Sequence, residues 1–183
     1  MDARRIRNRV STVDDVLSPA ECQHMLRRAE AVGYTAAPIT TAFGFVMRPD
    51  IRNNTRVILD DVELARWLWA RISPVLAESG RTPEPVGVNE RFRFYRYERG
   101  QFFDWHRDGA FRRNDREWST LTLLVYLDDA YKGGRTELEG IGDIEPRPGR
   151  VLIFPHGLRH RASPVTAGVK HVMRTDVMVR DAR

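Results

Sequence analysis

The second half of the chain is a succession of short apolar or alternating segments separated by glycine and proline turns. Turn residues stand at Gly133-Gly134 and at positions 146–149, which read Pro-Arg-Pro-Gly. Segments of this length are typical of strands rather than helices, and several of them at regular spacing favour an antiparallel sandwich or barrel. The predicted strands cover residues 91–97, 120–127, 151–154 and 171–179.

The first half predicts two helices. Ser18 is a natural N-cap, Glu21 completes a capping box, and Gly33 ends the first helix. A second helix begins at Asp60 or Asp61, where apolar residues start to recur at helical spacing. Helices followed by many strands predict one α+β domain over residues 1–183, with a helical support region at about 14–80 and a barrel core at about 86–180.

The composition is that of a soluble, globular protein, with 42% hydrophobic and 30% charged residues among 183. No segment approaches the roughly 20 apolar residues of a membrane span, so we expect no membrane association. Cys22 is the single cysteine, which excludes an internal disulfide and favours a cytoplasmic location. The net charge of +5 permits a nucleic-acid or acidic partner without requiring one. The sequence leaves the oligomeric state open.

The triplet His106-Arg107-Asp108 is the most informative local motif. On a strand, residues two apart point to the same face, so the imidazole and the carboxylate project together. Non-haem Fe(II) oxygenases hold their metal with two histidines and one carboxylate. His156 and His160 both follow the predicted strand at 151–154, and position alone does not choose between them as the third ligand.

A wider pattern surrounds this triplet. Residues 97–108, Tyr-Glu-Arg-Gly-Gln-Phe-Phe-Asp-Trp-His-Arg-Asp, resemble the start of the catalytic domain of the prolyl 4-hydroxylase-like 2-oxoglutarate/Fe(II) dioxygenases. That family shows Tyr-x-x-Gly-Gln, then an aromatic residue, then His-x-Asp. Further segments resemble family motifs in the same order, namely residues 124–128, 133–136, 148–154, 160–165 and 168–170. The resemblance is dense from Tyr97 to Val179 and loose before it.

The resemblance implies a double-stranded β-helix, a jelly-roll or cupin-like barrel, braced by the N-terminal helices. It implies His106, Asp108 and His160 as catalytic iron ligands, because His160 stands four residues before Pro164-Val165. His156 then becomes a residue behind the ligands or at the rim. The implied cofactors are Fe(II) and 2-oxoglutarate, with ascorbate as a further candidate.

The resemblance also suggests how 2-oxoglutarate is bound. Lys170 matches the cation that the family uses for the distal carboxylate. Arg174 has the same strand parity and a guanidinium that binds carboxylates through two hydrogen bonds, so it is the alternative unless it pairs with an acid such as Asp176. Tyr97 matches a family tyrosine that reaches 2-oxoglutarate. Tyr126 and Thr136 are further candidates for the same pocket.

The implied reaction is hydroxylation of an unactivated C–H bond in an amino acid, a peptidyl residue or a small metabolite, with release of succinate and CO₂. The carboxylate at Asp108 favours hydroxylation over halogenation. One alternative is oxidative demethylation of nucleic acid, although no aromatic and arginine cluster suggests a base-stacking platform. Another is a non-catalytic metal-binding barrel. Candidate substrate contacts are Arg52, Asn53, Asn54, Arg112, Arg113 and His156.

Overall fold

A computed structural model describes residues 3–5, 10–78 and 83–181 of the chain. Helix α1 spans Pro19–Val32 and helix α2 spans Val62–Glu78. Ser18 Oγ accepts a hydrogen bond from the Glu21 backbone at 3.3 Å, and the Glu21 carboxylate accepts one from the Ser18 backbone at 2.7 Å. This is the predicted capping box, and the predicted stop at Gly33 is also confirmed. Asp61 caps α2 by accepting from the Leu64 backbone at 2.8 Å.

The remaining elements are strands, most of them short. The N-terminal half contains β1 (Ala3–Arg5), β2 (Ser11–Val13), β3 (Thr35–Ala36), β4 (Ile39–Thr41), β5 (Gly44–Val46), β6 (Thr55–Asp60), β7 (Glu84–Val88) and β8 (Arg91–Tyr97). The C-terminal half contains β9 (Phe103–His106), β10 (Arg112–Asn114), β11 (Glu117–Tyr126), β12 (Lys132–Gly133), β13 (Thr136–Leu138), β14 (Gly142–Ile144), β15 (Val151–Pro155), β16 (His160–Ala162), β17 (Val165–Ala167) and β18 (Lys170–Arg180).

Two sheets build the barrel. The larger sheet has the order β1-β2-β15-β11-β18-β8-β6-β3, with β10 paired to β11 and β7 paired to β18. The smaller sheet has the order β14-β13-β16-β9. The strands β12 and β17 form a separate pair, as do β4 and β5. This double-stranded β-helix with two N-terminal helices is the fold that the sequence predicted.

Alternation along the central strands separates two hydrophobic clusters. On β8, Phe92 and Phe94 belong to the cluster shared with the helices, whereas Tyr95 and Tyr97 belong to the cluster inside the barrel. On β15, Ile153 and Phe154 divide in the same way. Because successive strand residues point to opposite faces, each central strand supports the helices with one face and lines the barrel interior with the other.

The predicted strands at residues 91–97, 120–127, 151–154 and 171–179 correspond to β8, β11, β15 and β18, with β11 beginning three residues earlier. The segment 35–54, predicted to be irregular or extended, contains the small hairpin of β4 and β5. Among the described residues, neither helix is both long and apolar enough to span a bilayer.

Candidate metal centre

Three side chains, two from strands and one from the segment after β9, meet inside the barrel. His106 is the last residue of β9 and His160 the first of β16, and these two residues are direct partners in the antiparallel pairing. Asp108 lies two residues beyond the end of β9. The candidate ligand atoms of His106, Asp108 and His160 all lie within 4.8 Å of one another. The expectation that Asp108 continues the strand is wrong, because β9 ends at His106, yet the side chains still converge.

Both imidazoles present the same nitrogen to the centre. His106 Nδ1 lies 2.7 Å from the Asp104 carbonyl oxygen, and His160 Nδ1 lies 3.0 Å from the Leu158 carbonyl oxygen. A carbonyl only accepts, so each Nδ1 carries the proton and each Nε2 keeps its lone pair. The Nε2 atoms of His106 and His160 lie 3.9 and 3.5 Å from the Asp108 carboxylate.

Burial keeps these rings neutral. It lowers the pKa of His106 to about 3, and burial likewise lowers the pKa of His160. Metal binding requires neutral imidazoles and an ionised carboxylate. Two free Nε2 atoms and one carboxylate are the donor set that suits non-haem Fe(II), so the residues present fit that metal.

Aromatic contacts fix the orientation of the two rings. Phe103 stacks on His106 with ring centroids 3.5 Å apart and planes 14° apart. Phe154 meets His160 edge-on at 4.6 Å. The Arg52 guanidinium lies on Phe103, 4.4 Å from its centroid, and also on Tyr95 at 4.6 Å. The role of Phe103 was not predicted, because residues three apart on a regular strand point to opposite faces, and the pairing of β9 with β16 contains a register shift at this point.

Asp108 is held from several sides. Its carboxylate accepts from Thr122 Oγ1 at 2.5 Å and faces Arg174 Nη2 at 3.3 Å. Its backbone N–H donates to the His156 carbonyl at 3.0 Å. Burial raises the pKa of Asp108, but the Arg174 guanidinium and the hydrogen bond from Thr122 lower it, and the pKa stays below its usual range. Thr122 was not identified from the sequence; its position between Leu121 and Leu123 in a buried strand was the available signal.

His156 lies behind the centre rather than in it. Its side chain is buried, with Nδ1 2.9 Å from Thr122 Oγ1 and Nε2 2.9 Å from Ser119 Oγ. The structure therefore brings His160, and not His156, to the other two candidate ligands. The suggestion that His156 contacts substrate needs correction, because both ring nitrogens are engaged and the residue is absent from the cavity wall.

A narrow cavity, with a volume of about 30 Å³, extends from this centre into the barrel. Lys170 lies at its far end, 1% exposed, and its Nζ donates to the Gly134 carbonyl at 2.5 Å and to Thr136 Oγ1 at 3.3 Å. No carboxylate among the described residues forms an ion pair with it. Burial lowers its pKa to about 7. The wall also includes Tyr95, Tyr97, Leu124, Val172 and Arg174.

Arg174 differs from Lys170 in having acidic partners. Its Nη2 lies 2.9 Å from Asp176 and 3.3 Å from Asp108. Burial by itself would lower the pKa of Arg174, but these two carboxylates have the larger effect and raise it. The guanidinium therefore stays charged. Of these two cations, Lys170 is therefore the one without a carboxylate partner among the residues that the structure describes.

The three neighbouring candidates divide into two groups. Tyr97 and Thr136 line the cavity, and Lys170 Nζ lies 5.5 Å from the Tyr97 ring centroid. Tyr126 is fully buried in the cluster inside the barrel and is not part of the cavity wall, so its place in the pocket stays a prediction. Tyr131 was missed, although Lys170 Nζ lies 5.9 Å from its ring centroid.

Most of the candidate substrate contacts are engaged elsewhere. Asn53 Oδ1 accepts a hydrogen bond from the Phe102 backbone N–H at 2.8 Å. Asn54 Oδ1 accepts one from Arg52 Nε at 2.7 Å. Arg113 pairs with Glu117 and Glu90, and exposed Arg112 faces Asp115 at 3.8 Å. None of these four side chains belongs to the cavity wall, and their role as substrate contacts stays a prediction. Arg52 remains, 4% exposed and without an acidic partner among the described residues.

Comparison with known proteins gives a consistent result. Residues 92–175 match the model of the 2OG-Fe(II) oxygenase superfamily. A PKHD-type hydroxylase of Xanthomonas euvesicatoria is 27% identical over 185 residues, covering 93% of this chain and 79% of that protein.

Two solved structures show the same fold. A viral collagen prolyl hydroxylase from Paramecium Bursaria Chlorella virus-1, in complex with 2OG, superposes with a TM-score of 0.67 at 18% identity, covering 97% of this chain and 98% of that one. A prolyl hydroxylase from Trichoplax adhaerens, bound to a hypoxia inducible factor peptide fragment, gives a TM-score of 0.71 at 18% identity, covering 93% and 84%. Together with the His-Asp-His cluster, these similarities support the predicted likeness to the prolyl 4-hydroxylase-like 2-oxoglutarate/Fe(II) dioxygenases, oxidoreductases that use Fe(II) and 2-oxoglutarate.

Proposed function

We propose that this site hydroxylates an unactivated C–H bond of an amino acid, a peptidyl residue or a small metabolite, while 2-oxoglutarate is converted to succinate and CO₂. One observation carries the proposal: a single cavity has a cluster of two imidazoles and a carboxylate at one end and, at the other, a buried lysine that forms no ion pair with any described residue. This arrangement complements a metal cation and a dianionic co-substrate within the same space.

In this proposal His106, Asp108 and His160 hold Fe(II). Three protein ligands leave coordination positions for 2-oxoglutarate and O₂, and the bound iron supplies the oxidising chemistry. The protein contributes ring orientation through the Nδ1 hydrogen bonds to backbone carbonyls and through the stacking of Phe103 on His106.

Lys170 binds the distal carboxylate of 2-oxoglutarate, and Thr136 and Tyr97 line the same end of the cavity. The charge of Lys170 has no carboxylate partner in the described part of the protein, so an incoming carboxylate supplies one. Such a charge-assisted hydrogen bond in a buried site contributes about 1.5–3 kcal/mol. Arg174 is not assigned this role, because Asp176 and Asp108 already neutralise it.

Arg52 is the one substrate contact that we retain. Its Nη2 is buried and makes no hydrogen bond with any described residue, while its guanidinium lies against Tyr95 and Phe103, both in the cavity wall. A buried donor without an acceptor is costly, so we assign it to an acceptor oxygen of the substrate. The peptide complex of the Trichoplax relative supports a carbonyl-bearing substrate.

The test is a coupled assay of O₂ uptake and succinate formation from 2-oxoglutarate with Fe(II), over a panel of free amino acids, proline-containing peptides and methylated oligonucleotides. We expect stimulation by members of the first two groups and no response from His160→Ala. Stimulation by the oligonucleotides alone would instead support nucleic-acid demethylation. Absence of succinate under every condition, with iron bound, would favour the non-catalytic barrel.

A further inference from the structure

Four polar groups behind the metal centre form a continuous hydrogen-bonded series that ends on Asp108. The Phe111 backbone N–H donates to Ser119 Oγ at 2.8 Å, and Ser119 Oγ lies 2.9 Å from His156 Nε2. His156 Nδ1 lies 2.9 Å from Thr122 Oγ1, which donates to the Asp108 carboxylate at 2.5 Å. Ser119, Thr122 and His156 are all buried, so water does not compete for these contacts. We call this series the Asp108 relay.

A β-bulge brings the two hydroxyls to the same ring. In a regular strand, Ser119 and Thr122 would point to opposite faces because they are three residues apart. The pairing of β11 with β18 shifts register between Ser119 and Leu121, which inserts one unpaired residue. The bulge therefore turns Ser119 towards the face that carries Thr122, and His156 fits between the two hydroxyls.

The direction of every hydrogen bond in the relay follows from its last member. An ionised carboxylate only accepts hydrogen bonds, so the Thr122 hydroxyl donates its one proton to Asp108. Thr122 must then accept from His156, which places the ring proton on Nδ1. His156 Nε2 is left as an acceptor, so Ser119 donates to it and accepts from Phe111. One tautomer of His156 satisfies all four contacts.

We propose that the Asp108 relay is a positioning device, in which His156, held as the Nδ1–H tautomer, fixes the Asp108 carboxylate through Thr122. One carboxylate oxygen is engaged by Thr122 and the other faces Arg174 at 3.3 Å. With donors on both sides, the carboxylate cannot rotate freely about its Cβ–Cγ bond. The inference rests on the proposed role of Asp108 as a metal ligand and assigns His156 and Thr122 to its orientation.

The first test is spectroscopic and needs no metal. Nitrogen-15 NMR of the histidine rings in the full-length protein distinguishes a protonated from an unprotonated ring nitrogen, and His156→Asn identifies which signals belong to His156. We expect Nδ1 of His156 to be protonated and Nε2 to be an acceptor. The reverse tautomer, or rapid exchange between the two, would overturn the relay.

The second test compares matched variants by Mn²⁺ affinity, measured by calorimetry. Thr122→Val removes the hydroxyl while keeping the shape, and His156→Phe removes both ring nitrogens; each should weaken Mn²⁺ binding by about 10- to 100-fold. Thr122→Ser keeps the hydroxyl, and His156→Asn keeps a donor near the Nδ1 position, so both should stay within about threefold of wild type. Near-UV circular dichroism checks that each variant retains native packing.

The outcomes separate the relay from the proposed function. Native-like Thr122→Val and His156→Phe proteins that bind Mn²⁺ as tightly as wild type would overturn the relay and leave the metal site intact. Equal losses in Thr122→Ser and Thr122→Val would also overturn it, because the hydroxyl would then be irrelevant. A folded wild-type protein that binds no Mn²⁺ would overturn both the proposed metal site and the relay.

Discussion

The two ends of the cavity handle charge in opposite ways. At the metal end, Asp108 contacts Thr122 and Arg174, and Arg174 is balanced in turn by Asp176. At the other end, Lys170 is buried with a carbonyl and a hydroxyl, and no carboxylate within the described ranges pairs with it. The charge of Asp108 is therefore balanced by neighbouring side chains, whereas the charge of Lys170 is not balanced by any described carboxylate. A buried cation of this kind is costly until an anion arrives, so the comparison predicts where the co-substrate must bind.

The largest effect is expected from the histidine that closes the metal end. His160→Ala should abolish turnover and weaken Fe(II) binding by more than about 100-fold, because it removes one of three ligands. His156→Ala should retain Fe(II) with an affinity reduced about tenfold, since the ring acts only behind Asp108. Anaerobic Fe(II) titration measures both variants. Loss of metal in His156→Ala with retention in His160→Ala would reverse the assignment.

Removal of the Lys170 charge should weaken binding of 2-oxoglutarate and leave metal binding unchanged. Lys170→Met should raise the KM for 2-oxoglutarate by about 10- to 100-fold, which corresponds to the loss of one charge-assisted hydrogen bond. Fe(II) affinity should not change. Lys132→Met is the matched control, because Lys132 is an exposed lysine on strand β12. If Arg174→Gln raised this KM and Lys170→Met did not, the roles of the two cations would be exchanged.

The uncompensated lysine also predicts a proton linkage. Since burial lowers the pKa of Lys170 to about 7, the side chain is largely neutral above that pH in the free protein. Binding of a dianion favours the charged form, so 2-oxoglutarate binding should take up close to one proton at pH 8.5 and little at pH 6. Calorimetry in buffers of different ionisation enthalpy measures the uptake, which should be absent in Lys170→Met.

The lowered pKa of Lys170 also determines how the stability of the folded protein changes with pH. The lysine of the unfolded chain has its ordinary pKa of 10.5, above the folded value of about 7. The unfolded state therefore binds more protons between these two pH values, and this group makes stability rise with pH across that window. Below pH 7 its destabilising contribution is fully present. A wild-type protein whose stability does not rise relative to Lys170→Met over this window would contradict the buried, unpaired state.

How much of this was predictable differs between the fold and the site. The capping box at Ser18 and the alternation of residues 91–97 act locally, so the sequence predicts α1 and β8 closely. The choice of His160 over His156 depended on family motifs, because both histidines follow the same strand. Lys170 and Arg174 share a strand parity, and only the spatial neighbours of Arg174 separate them.

The Asp108 relay could not be predicted from local sequence patterns. Ser119 and Thr122 share a face only because of the bulge in β11, and a bulge depends on pairing with a distant strand. The position of His156 between them likewise requires the barrel to close. Patterns of period two therefore predict strands well, but they fail where register shifts redirect a side chain, and here such a shift lies beside the metal centre.

The smallest effect is expected at the turn that supports Lys170. Gly134 has a φ of +57°, and a Cβ there would lie 2.8 Å from Val165 Cγ2 and 3.3 Å from Lys170 Cδ. Gly134→Ala should therefore cost about 1–2 kcal/mol of stability and raise the KM for 2-oxoglutarate a few-fold by displacing the lysine. Gly140→Ala is the matched control, because φ is +71° and nothing lies within 4 Å of the added Cβ. It should lose stability through backbone strain alone and keep the wild-type KM. An unchanged KM in a folded Gly134→Ala protein would show that the lysine tolerates movement of its carbonyl partner, so its charge alone would account for co-substrate binding.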